Sequence, residues 1–532
     1  GCVRGGPTPS TTSCSPRRPG PGSSPCWPGC RGPCRQRRST PSTRGSGPGR
    51  TDSIVDRERI ESLTAAKAAQ RDASRPEAVA RVHHTGKLTA RERIAALLDP
   101  GTEVEYGSIA AVDDQGGWVA EAGGVDFVGT IGGQTVVASS TDYTDHGGGY
   151  GAGRLERLFA LAREHRWPVV FFVDGGGSRA RHPRVGRGDL ELNGPFGPFG
   201  LFDGMAELSG LVPTVAIVSG PSFAGHASLA GFSDFVIGTF GSSVGMGGPP
   251  MVEAALGMKL SANELAGVEM HEVTGGIDLL VADEPTAIAA AKRYLAFQGD
   301  EPDGAASPTA RAIGALVPEA GPYDVAAVVE ALVDDASFFE LRPAFARSVV
   351  TGFARMGGRS VGVLASQPAV AGGVIDELAA VKVGRFVELC DVYDLPIVVL
   401  VDTDGCVTTW ADGDGGTVVE PGVSRWHARP IVAHQHRSVP LLAVQLRRAR
   451  GMGPHVLAGS PNARSVPVLS VSWPTVELGH VDGFSATRNV NAHDDVIDPA
   501  ETRDRIVRML AHLPRPARPA PRSAKKHPVD TW

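Results

Sequence analysis

The sequence lacks any hydrophobic run long enough to cross a membrane. The longest apolar runs of the 532-residue chain, such as Val169–Val173 and Ile397–Val401, have the length of a strand. A membrane helix needs about 20 apolar residues. The N-terminus also lacks the continuous apolar stretch of a secretory signal. We therefore expect a cytoplasmic protein that does not bind a membrane.

Cysteine is scarce in the body of the chain. Five of the seven cysteines lie between Cys2 and Cys34, so that only Cys390 and Cys406 belong to the rest. This distribution excludes a disulfide-stabilised scaffold for the body. Cys26, Cys30 and Cys34 follow one another at a spacing that matches no common zinc pattern. We therefore predict no metal site in this chain.

Lysine and acidic residues are absent from the segment 1–50, which contains nine Arg among many Gly, Pro and Ser. Such a segment buries too little apolar surface to offset its ordering entropy, so we expect residues 1–50 to be disordered. Because the whole chain carries a net charge of -6, residues 51–532 carry -15. An acidic body argues against nucleic acid as a ligand.

The remaining sequence alternates short apolar runs with Gly-rich turns and Ala-rich helical stretches, which predicts an α/β fold with buried strands. Leu88–Glu92 is typical of a capping box, and the helix that it begins should end before Pro100. Gly, Pro and Ala crowd together near residues 300–322 and predict a domain boundary. We expect an N-terminal tail, two domains and a basic, Pro-rich C-terminal tail, at residues 1–50, 51–305, 306–515 and 516–532.

Two halves of the chain repeat the same order of strand, turn and helix at a nearly constant offset in residue number. Matching offsets at three separate places favour two copies of one fold over a chance likeness between buried strands. The paired segments are 168–175 with 396–403, 213–218 with 440–445, and 225–231 with 453–459.

Glycine-rich turns follow the strands of both copies. In the first copy they are 174–179, 219–226 and 244–250, and in the second 402–405 and 448–453. Glycine lets a substrate approach the backbone closely, and free backbone N–H groups suit a phosphate or an oxyanion. The repeat therefore predicts two oxyanion-type sites.

Other catalytic patterns are absent or weak. The sequence has no phosphate-binding Gly-x-x-x-x-Gly-Lys-Ser/Thr loop and no His-Glu-x-x-His. A Gly-x-Ser-x-Gly match occurs at Gly241–Gly245, but the Gly and Pro residues after it argue against the helix that a hydrolase nucleophile requires. We build no triad from the remaining candidate acids, bases or nucleophiles, which are Ser178, His226, Cys406 and His480.

From Ile54 to Leu510 the sequence resembles the carboxyltransferase (beta) subunit of biotin-dependent acyl-CoA carboxylases of the acetyl- and propionyl-CoA type. An ordered series of motifs carries the resemblance: Gly86–Ile94, Leu97–Gly101, Asp174–Arg179, Leu208–Pro213, Gly220–Leu229, Gly245–Pro249, Gly358–Gly362, Lys382–Phe386, Trp473–Thr475 and Asp494–Pro499 with Thr502-Arg503.

The resemblance implies two tandem crotonase-like domains of β-β-α units. The first would hold an acyl-CoA and the second biotin, with the active site at a subunit interface. It also implies that carboxybiotin, carried on a partner protein, yields CO2 and a biotin enolate that removes the α-proton of the acyl-CoA, so that the thioester enolate attacks CO2. No side-chain base is needed.

The resemblance further implies that backbone amides hold both developing oxyanions. The catalytic positions are Gly176 and Gly177 on the thioester side, and Met452 and Gly453 on the biotin side. The other substrate-binding positions are Arg179, Gly225, His226, Gly247, Gly248 and Pro249, and those near biotin are Asp404, Gly405, Cys406 and Gly451.

No Met-Lys-Met biotinylation motif occurs in the chain, so biotin must arrive on a biotin carboxylase/biotin carboxyl carrier subunit. The resemblance implies a homo-oligomer, with a dimer as the minimum that completes a site and a hexamer as in many members of the family.

The second half departs from the family pattern. Asp404 replaces the proline of an Asp-x-Pro-Gly-Phe turn and adds a negative charge, and Pro454 removes one backbone N–H. The family's Glu-Gly-Ala-Val is replaced at 482–485, and a helical stretch is missing between Ala486 and His493. These changes keep two alternatives open: a non-catalytic regulatory or scaffolding paralogue, or a biotin-independent acyl-CoA decarboxylase.

Overall fold

Two eight-stranded sheets follow one another along the chain in a computed structural model. The structure describes residues 57–113, 115–120, 123–149, 154–176, 199–300, 313–406, 409–411, 417–419, 423–460, 466–479, 493–515 and 527–530. The predicted disordered tail, with its cysteines, lies outside these ranges. Among the residues described, no helix is both long and apolar enough to span a membrane.

The first half contains ten strands and ten α-helices within the described ranges. The strands are β1 (Val104–Tyr106), β2 (Ile109–Val112), β3 (Trp118–Ala120), β4 (Gly124–Ile131), β5 (Gln134–Thr141), β6 (Val169–Gly175), β7 (Thr214–Phe223), β8 (Phe235–Thr239), β9 (Ser243–Gly245) and β10 (Leu279–Val281). The helices are α1 (Arg57–Ala68), α2 (Pro76–His84), α3 (Ala90–Leu97), α4 (Arg154–His165), α5 (Phe199–Leu208), α6 (Gly225–Gly231), α7 (Pro249–Leu256), α8 (Ala262–Ala266), α9 (Val268–Thr274) and α10 (Glu284–Ala296).

The second half repeats this layout. Its described strands are β11 (Phe339–Leu341), β12 (Val349–Met356), β13 (Arg359–Ser366), β14 (Ile397–Thr403), β15 (Thr409–Ala411), β16 (Thr417–Val419), β17 (Leu441–Arg450), β18 (Leu469–Ser472), β19 (Glu477–Gly479) and β20 (Asp495–Val496). Its helices are α11 (Val325–Leu332), α12 (Glu377–Val392), α13 (Val423–Trp426), α14 (Ala428–His436), α15 (Gly453–Ala458) and α16 (Thr502–His512).

Strand order confirms the repeat that the sequence predicts. The first sheet runs β1-β4-β5-β6-β7-β8-β10 with β9 on β7, and the second runs β11-β12-β13-β14-β17-β18-β20 with β19 on β17. The first three strands of each order pair antiparallel and the later ones parallel. Even an irregularity is shared, because the register shifts between Val173 and Gly175 and, at the matching place of the second copy, between Val401 and Thr403.

The predicted capping box begins α3. The Thr89 Oγ1 accepts a hydrogen bond from the Glu92 amide at 3.1 Å, and the Glu92 carboxylate accepts one from the Thr89 amide at 2.8 Å. The helix ends at Leu97, before Pro100 as predicted. Because Ile94 and Leu97 are buried, this helix packs its apolar side against the first sheet.

The two sheets share one hydrophobic core. Tyr294 on α10 is fully buried, stacks on Phe235 of the first sheet at 4.5 Å, and lies 5.6 Å from the ring of Phe353 in the second sheet. Polar bonds cross at the same boundary: the Arg385 guanidinium donates to the Asp234 carbonyl at 2.7 Å. Burial of large aromatic rings on both sides fixes the relative position of the two sheets.

Residues 527–530, named here the C-terminal strap, pack onto both halves of the chain. The Val529 amide donates to Ser209 Oγ at 3.0 Å in the first half, and the Asp530 amide donates to Glu388 on α12 at 3.0 Å. Val529 is only 5% exposed and belongs to the shared core. Gly210 makes room for the strap, since a Cβ there would clash with the His527 carbonyl.

Candidate active site

Two backbone segments, 147–148 and 174–176, meet at the end of β6. The Gly176 amide donates to the Gly147 carbonyl at 3.2 Å. A Cβ on Gly148 would lie 2.4 Å from the Asp174 carbonyl oxygen, so only glycine fits there. Among the residues described, none lies within 4 Å of a Cβ placed on Gly176. The predicted catalytic glycine therefore has no described neighbour on its side-chain face.

Buried charges hold this strand end in place. Asp174 is 1% exposed, and its Oδ2 accepts from Lys87 at 2.6 Å and from Arg93 at 3.1 Å. Arg93 is itself buried and also pairs with Glu284 at 2.7 Å. Lys87 and Arg93 belong to the 86–94 motif, whose part in the site the sequence did not reveal. Paired charges with several hydrogen bonds are tolerated in an interior where a single charge is not.

His226 lies against the turn at the end of β6. Its ring is fully buried, and a Cβ on Gly175 would lie 3.0 Å from its Cε1. Burial lowers the pKa of His226 to about 4, against the opposite effect of the Asp174 carboxylate. The imidazole is therefore neutral near pH 7. It follows Gly225, where α6 begins after Ala224 with a positive φ of 53°.

The third glycine cluster lies beside β7. Gly248 caps α7, which begins with Pro249, and a Cβ on Gly248 would be 3.5 Å from the Phe223 ring. A Cβ on Gly247 would meet none of the described residues within 4 Å. Ser243, the serine of the Gly-x-Ser-x-Gly match, is buried within β9 and does not begin a helix.

The second copy brings its own turns together. A Cβ on Gly453 would lie 2.6 Å from Thr403 Cγ2 and 3.0 Å from the Gly405 Cα. Gly405 has a φ of +107° and Gly451 a φ of +54°, conformations that favour glycine. The turn after β14 therefore packs directly on the turn after β17, as the repeat predicts.

Met452 and Cys406 flank this contact. Met452 is the N-cap of α15 and is 44% exposed. Cys406 is partly buried, and its backbone bridges to Ile375. Pro454 occupies the second position of α15, where the missing N–H has no partner within the helix in any case.

Asp402 is the counterpart of Asp174 in the second copy, and it is also fully buried. Its carboxylate accepts from Arg447 Nε at 3.1 Å and from Arg448 Nε at 2.7 Å. The first copy takes its cations from the N-terminal 86–94 motif, while the second takes them from the neighbouring strand β17. Two cations thus fix each strand end, but the two copies take them from different parts of the chain.

The sequence search missed a pair of glycine turns that completes the repeat. Gly147 and Gly372 both have left-handed backbone, with φ values of 64° and 68°. Each is followed by a glycine on which a Cβ would clash with the carbonyl oxygen of an aspartate near the end of a strand. The Gly147 carbonyl accepts from Gly176, and the Gly372 carbonyl accepts from Asp404 at 3.4 Å. A paired Gly-Gly after β5 and β13 is the signal that would have found them.

By this correspondence Asp404 stands where the first copy has Gly176. Its carboxylate does not remain unpaired: Oδ2 accepts from Arg448 at 2.5 Å and Oδ1 from Arg450 at 2.9 Å. Asp404 N–H also keeps the turn tied to Gly372. The added negative charge that the sequence places on the biotin side is thus matched by two guanidinium groups.

The predicted residues form two groups, one on each sheet, among the positions described. The first contains Gly176, Gly225 and His226, and the second contains Asp404, Gly405, Gly451 and Gly453. Four further sequence candidates, Gly177, Ser178, Arg179 and His480, lie outside the described residues.

A family model described as the carboxyl transferase domain matches residues 81–491. The chain belongs to this carboxyl transferase family. It is 31% identical over 436 residues to the uncharacterized carboxylase YngE of Bacillus subtilis strain 168, covering 79% of this chain and 82% of that protein. It is also 31% identical over 505 residues to the methylmalonyl-CoA carboxyltransferase 12S subunit of Propionibacterium freudenreichii subsp. shermanii, covering 84% and 92%.

Two solved structures support the same assignment. The transcarboxylase 12S crystal structure, a hexamer with methylmalonyl-CoA bound, superposes with a TM-score of 0.74 at 27% identity, over 88% of this chain and 98% of that one. A single-chain, multi-domain long-chain acyl-CoA carboxylase gives a TM-score of 0.73 at 32% identity over 86% of this chain, which spans 51% of that longer protein. The fold of this carboxyltransferase is therefore crotonase-like, as the resemblance implies.

Proposed function

We propose that this chain is the carboxyltransferase subunit of a biotin-dependent acyl-CoA carboxylase. In this proposal it transfers a carboxyl group from carboxybiotin on a partner carrier protein to the α-carbon of a short acyl-CoA. The observation that carries the proposal is the pair of matching glycine-rich turn clusters, one around Gly176 and one around Gly405 and Gly453, which we call the first and second cradle. Each copy places a glycine-rich turn at the end of its central strand, against a second glycine turn and a short helix.

The first cradle fits an acyl thioester. No described residue lies within 4 Å of a Cβ placed on Gly176, and the neighbouring His226 is neutral. The Gly176 amide donates to the Gly147 carbonyl, so this bond must open before the amide can donate to a developing thioester oxyanion. Backbone donors fixed in this way act where charge develops, and each contributes about 3 kcal/mol of transition-state stabilisation. We assign Gly176 and Gly177 to this role, with Arg179, Gly225 and the 247–249 turn as substrate contacts.

The second cradle fits the ureido ring of biotin. Gly405, Gly451 and Gly453 bring two backbone segments, 403–405 and 450–453, within contact distance and leave no room for side chains between them. We assign Met452 and Gly453 to hold the ring oxygen, with Cys406 at the rim. When bound, carboxybiotin supplies the CO2 unit. The chain itself supplies position, exclusion of water and fixed dipoles.

Relatives named as propionyl-CoA carboxylase beta chains and the 12S hexamer support a subunit in a larger assembly. We propose a homo-oligomer, a dimer at least, that works with a biotin carboxylase/biotin carboxyl carrier subunit in the cytoplasm. Co-purification of the full chain from its cell, with mass spectrometry of the bound proteins, checks the partner.

Carboxylation of acetyl-, propionyl- and butyryl-CoA tests the proposed reaction. The full chain is mixed with the carrier subunit, ATP and bicarbonate, and product is expected only when biotin is attached to the carrier. Release of CO2 from the corresponding α-carboxyacyl-CoA without biotin or ATP would instead support the decarboxylase alternative. Bound acyl-CoA without product for any chain length would favour the non-catalytic paralogue.

Gly176→Ala tests the first cradle. The added methyl group meets none of the described residues, so the free energy of unfolding should change by less than about 0.5 kcal/mol. If the space that this methyl group enters belongs to the substrate, kcat/KM for acyl-CoA should fall at least about tenfold. Gly231→Ala is the matched control, because a Cβ there also meets nothing within 4 Å but lies at the far end of α6. Equal activity of the two variants would remove Gly176 from the site.

A further inference from the structure

We propose that Arg450 is a positioning residue of the biotin-side turn, which it serves by holding the Asp404 carboxylate and cancelling its charge. The inference rests on the proposed function, since it assigns the second cradle to biotin. Arg450 lies in the 448–453 turn that the repeat identifies, but the sequence assigns no role to its side chain.

Arg450 reaches two carboxylates from the end of β17. One terminal nitrogen donates to Asp404 Oδ1 at 2.9 Å and the other to Glu477 Oε2 at 2.9 Å. Because a guanidinium is a planar fork, both bonds are made at once from one fixed group. Arg450 thereby ties the turn after β14 to the start of β19.

Arg448 completes the cluster on its buried side. Its guanidinium bonds Asp404 at 2.5 Å, Asp402 at 2.7 Å and the Gly372 carbonyl at 3.1 Å. Every nitrogen of this side chain thus has a partner, so Arg448 cannot take over the bonds of Arg450. A Cβ on Gly372 would lie 2.4 Å from Asp404 Oδ2, which shows how closely the carboxylate is seated on that turn.

The first copy has none of these charges at the corresponding places. There the residue equivalent to Asp404 is Gly176, and those equivalent to Arg448 and Arg450 are Pro221 and Phe223. The acidic group and the cations that hold it therefore occur together, in one copy only. This pairing is expected if the cations serve to neutralise the carboxylate.

Among the described residues around this turn, three arginines, at 447, 448 and 450, pair with three carboxylates, at 402, 404 and 477. Removal of Arg450 leaves one negative charge in excess next to Gly405 and Gly453. In the proposed reaction negative charge develops on biotin at this cradle, and a nearby like charge opposes it. Loss of Arg450 should therefore slow carboxyl transfer without changing the binding of acyl-CoA.

The experiment compares Arg450→Gln, Asp404→Asn and the double variant in the full chain with its biotinylated carrier subunit. Arg450→Gln should lower kcat for transfer about tenfold, the effect of one uncompensated charge a few ångström away in a partly exposed site. KM for acyl-CoA should stay unchanged. Asp404→Asn in the Arg450→Gln background should restore kcat to within about threefold of the wild type, because the excess charge is gone.

A second readout does not depend on turnover. Calorimetric binding of the biotinylated carrier subunit should weaken in Arg450→Gln and recover in the double variant. Arg450→Lys should retain most of the binding, since it keeps the charge. Arg163→Gln is the matched control, because Arg163 forms a comparably exposed ion pair with Glu207 on the first half, and it should behave as the wild type in both measurements.

Two results would overturn the proposal: a double variant no better than Arg450→Gln, or an Arg450→Gln that matches the Arg163→Gln control. A wild type that binds the carrier but makes no product refutes the proposed function, while the binding measurements still decide whether Arg450 compensates Asp404. Urea unfolding of the same variants separates a loss of stability from a loss of positioning.

Discussion

At the residue scale, each copy has an aspartate one residue before the end of its central strand and anchors it with two cations. Asp174 is held by Lys87 and Arg93, and Asp402 by Arg447 and Arg448. A buried carboxylate needs such partners because its transfer from water costs several kcal/mol. Both copies therefore need cations beside the buried carboxylate, but the two copies take these cations from different segments of the chain.

Arg93→Met should be strongly destabilising, because it leaves Asp174 and Glu284 buried with fewer partners. The expected loss is about 3–5 kcal/mol in the free energy of unfolding, measured by urea denaturation. Arg57→Met is the control: its ion pair with Glu61 is exposed, and its removal should cost less than about 0.5 kcal/mol. A similar small loss for Arg93→Met would show that the network does not support the strand end.

At the element scale, the entry into α3 positions the 86–94 motif. Thr89 and Glu92 exchange bonds with each other's backbone, and Thr89 Oγ1 also donates to Asp72 at 2.6 Å. The Leu88 amide donates to Glu284 Oε2 at 2.6 Å, which joins the helix start to the buried charges around Asp174. A helix cap is therefore connected to the candidate thioester site.

Thr89→Ala should lower the free energy of unfolding by about 1–2 kcal/mol, since it removes a cap that is 7% exposed and its bond to Asp72. Ser261→Ala removes the cap of a similar box in an exposed helix and serves as the control. Thermal unfolding of both variants should show the larger loss for Thr89→Ala. The opposite order would contradict a role for this cap beyond local helix stability.

At the scale of the whole molecule, the C-terminal strap connects the two copies. His527 Nε2 lies 3.0 Å from Asp391 Oδ2, and the Arg385 guanidinium, which also bonds the first half, donates to the Asp530 carbonyl at 3.0 Å. The strap therefore reaches the same arginine that joins the sheets. It adds contacts at the boundary where their relative position is fixed.

Val529→Asp should destabilise the protein by about 3 kcal/mol, because it places a carboxylate in the shared hydrophobic core. Val432→Asp is the control, as Val432 is 56% exposed on α14 and should change stability by less than about 1 kcal/mol. Urea denaturation measures both. A strap that contributes nothing to the fold would make the two variants equal.

His527 gives this contact a dependence on pH. The hydrogen bond to Asp391 raises the pKa of His527 above its ordinary value of 6.5. The contribution of this bond to the free energy of unfolding is therefore fully present below pH 6.5. It is lost as the pH rises through the higher pKa that His527 has in the folded protein. Compared with His527→Gln, the wild type should lose more thermal stability between pH 6 and pH 9. Parallel profiles of the two proteins would refute the link.

Local patterns in the sequence were sufficient for the repeat, the two glycine-rich turns of each copy, the capping box of α3 and the resemblance to carboxyltransferases. These features depend on neighbours in the chain, on strand and helix periodicity and on the backbone freedom of glycine. The positions of Gly405 and Gly453 could likewise be inferred, because the constant offset between the copies carries the first turn onto the second.

Only the tertiary structure decided which groups meet across long separations. Lys87 meets Asp174, Gly372 meets Asp404, and Arg450 meets Glu477 and the same turn. Such contacts depend on strand order and on the crossing of loops, which leave no periodic trace in the chain. For that reason the sequence showed Asp404 as an added charge, while the fold shows it held between two arginines.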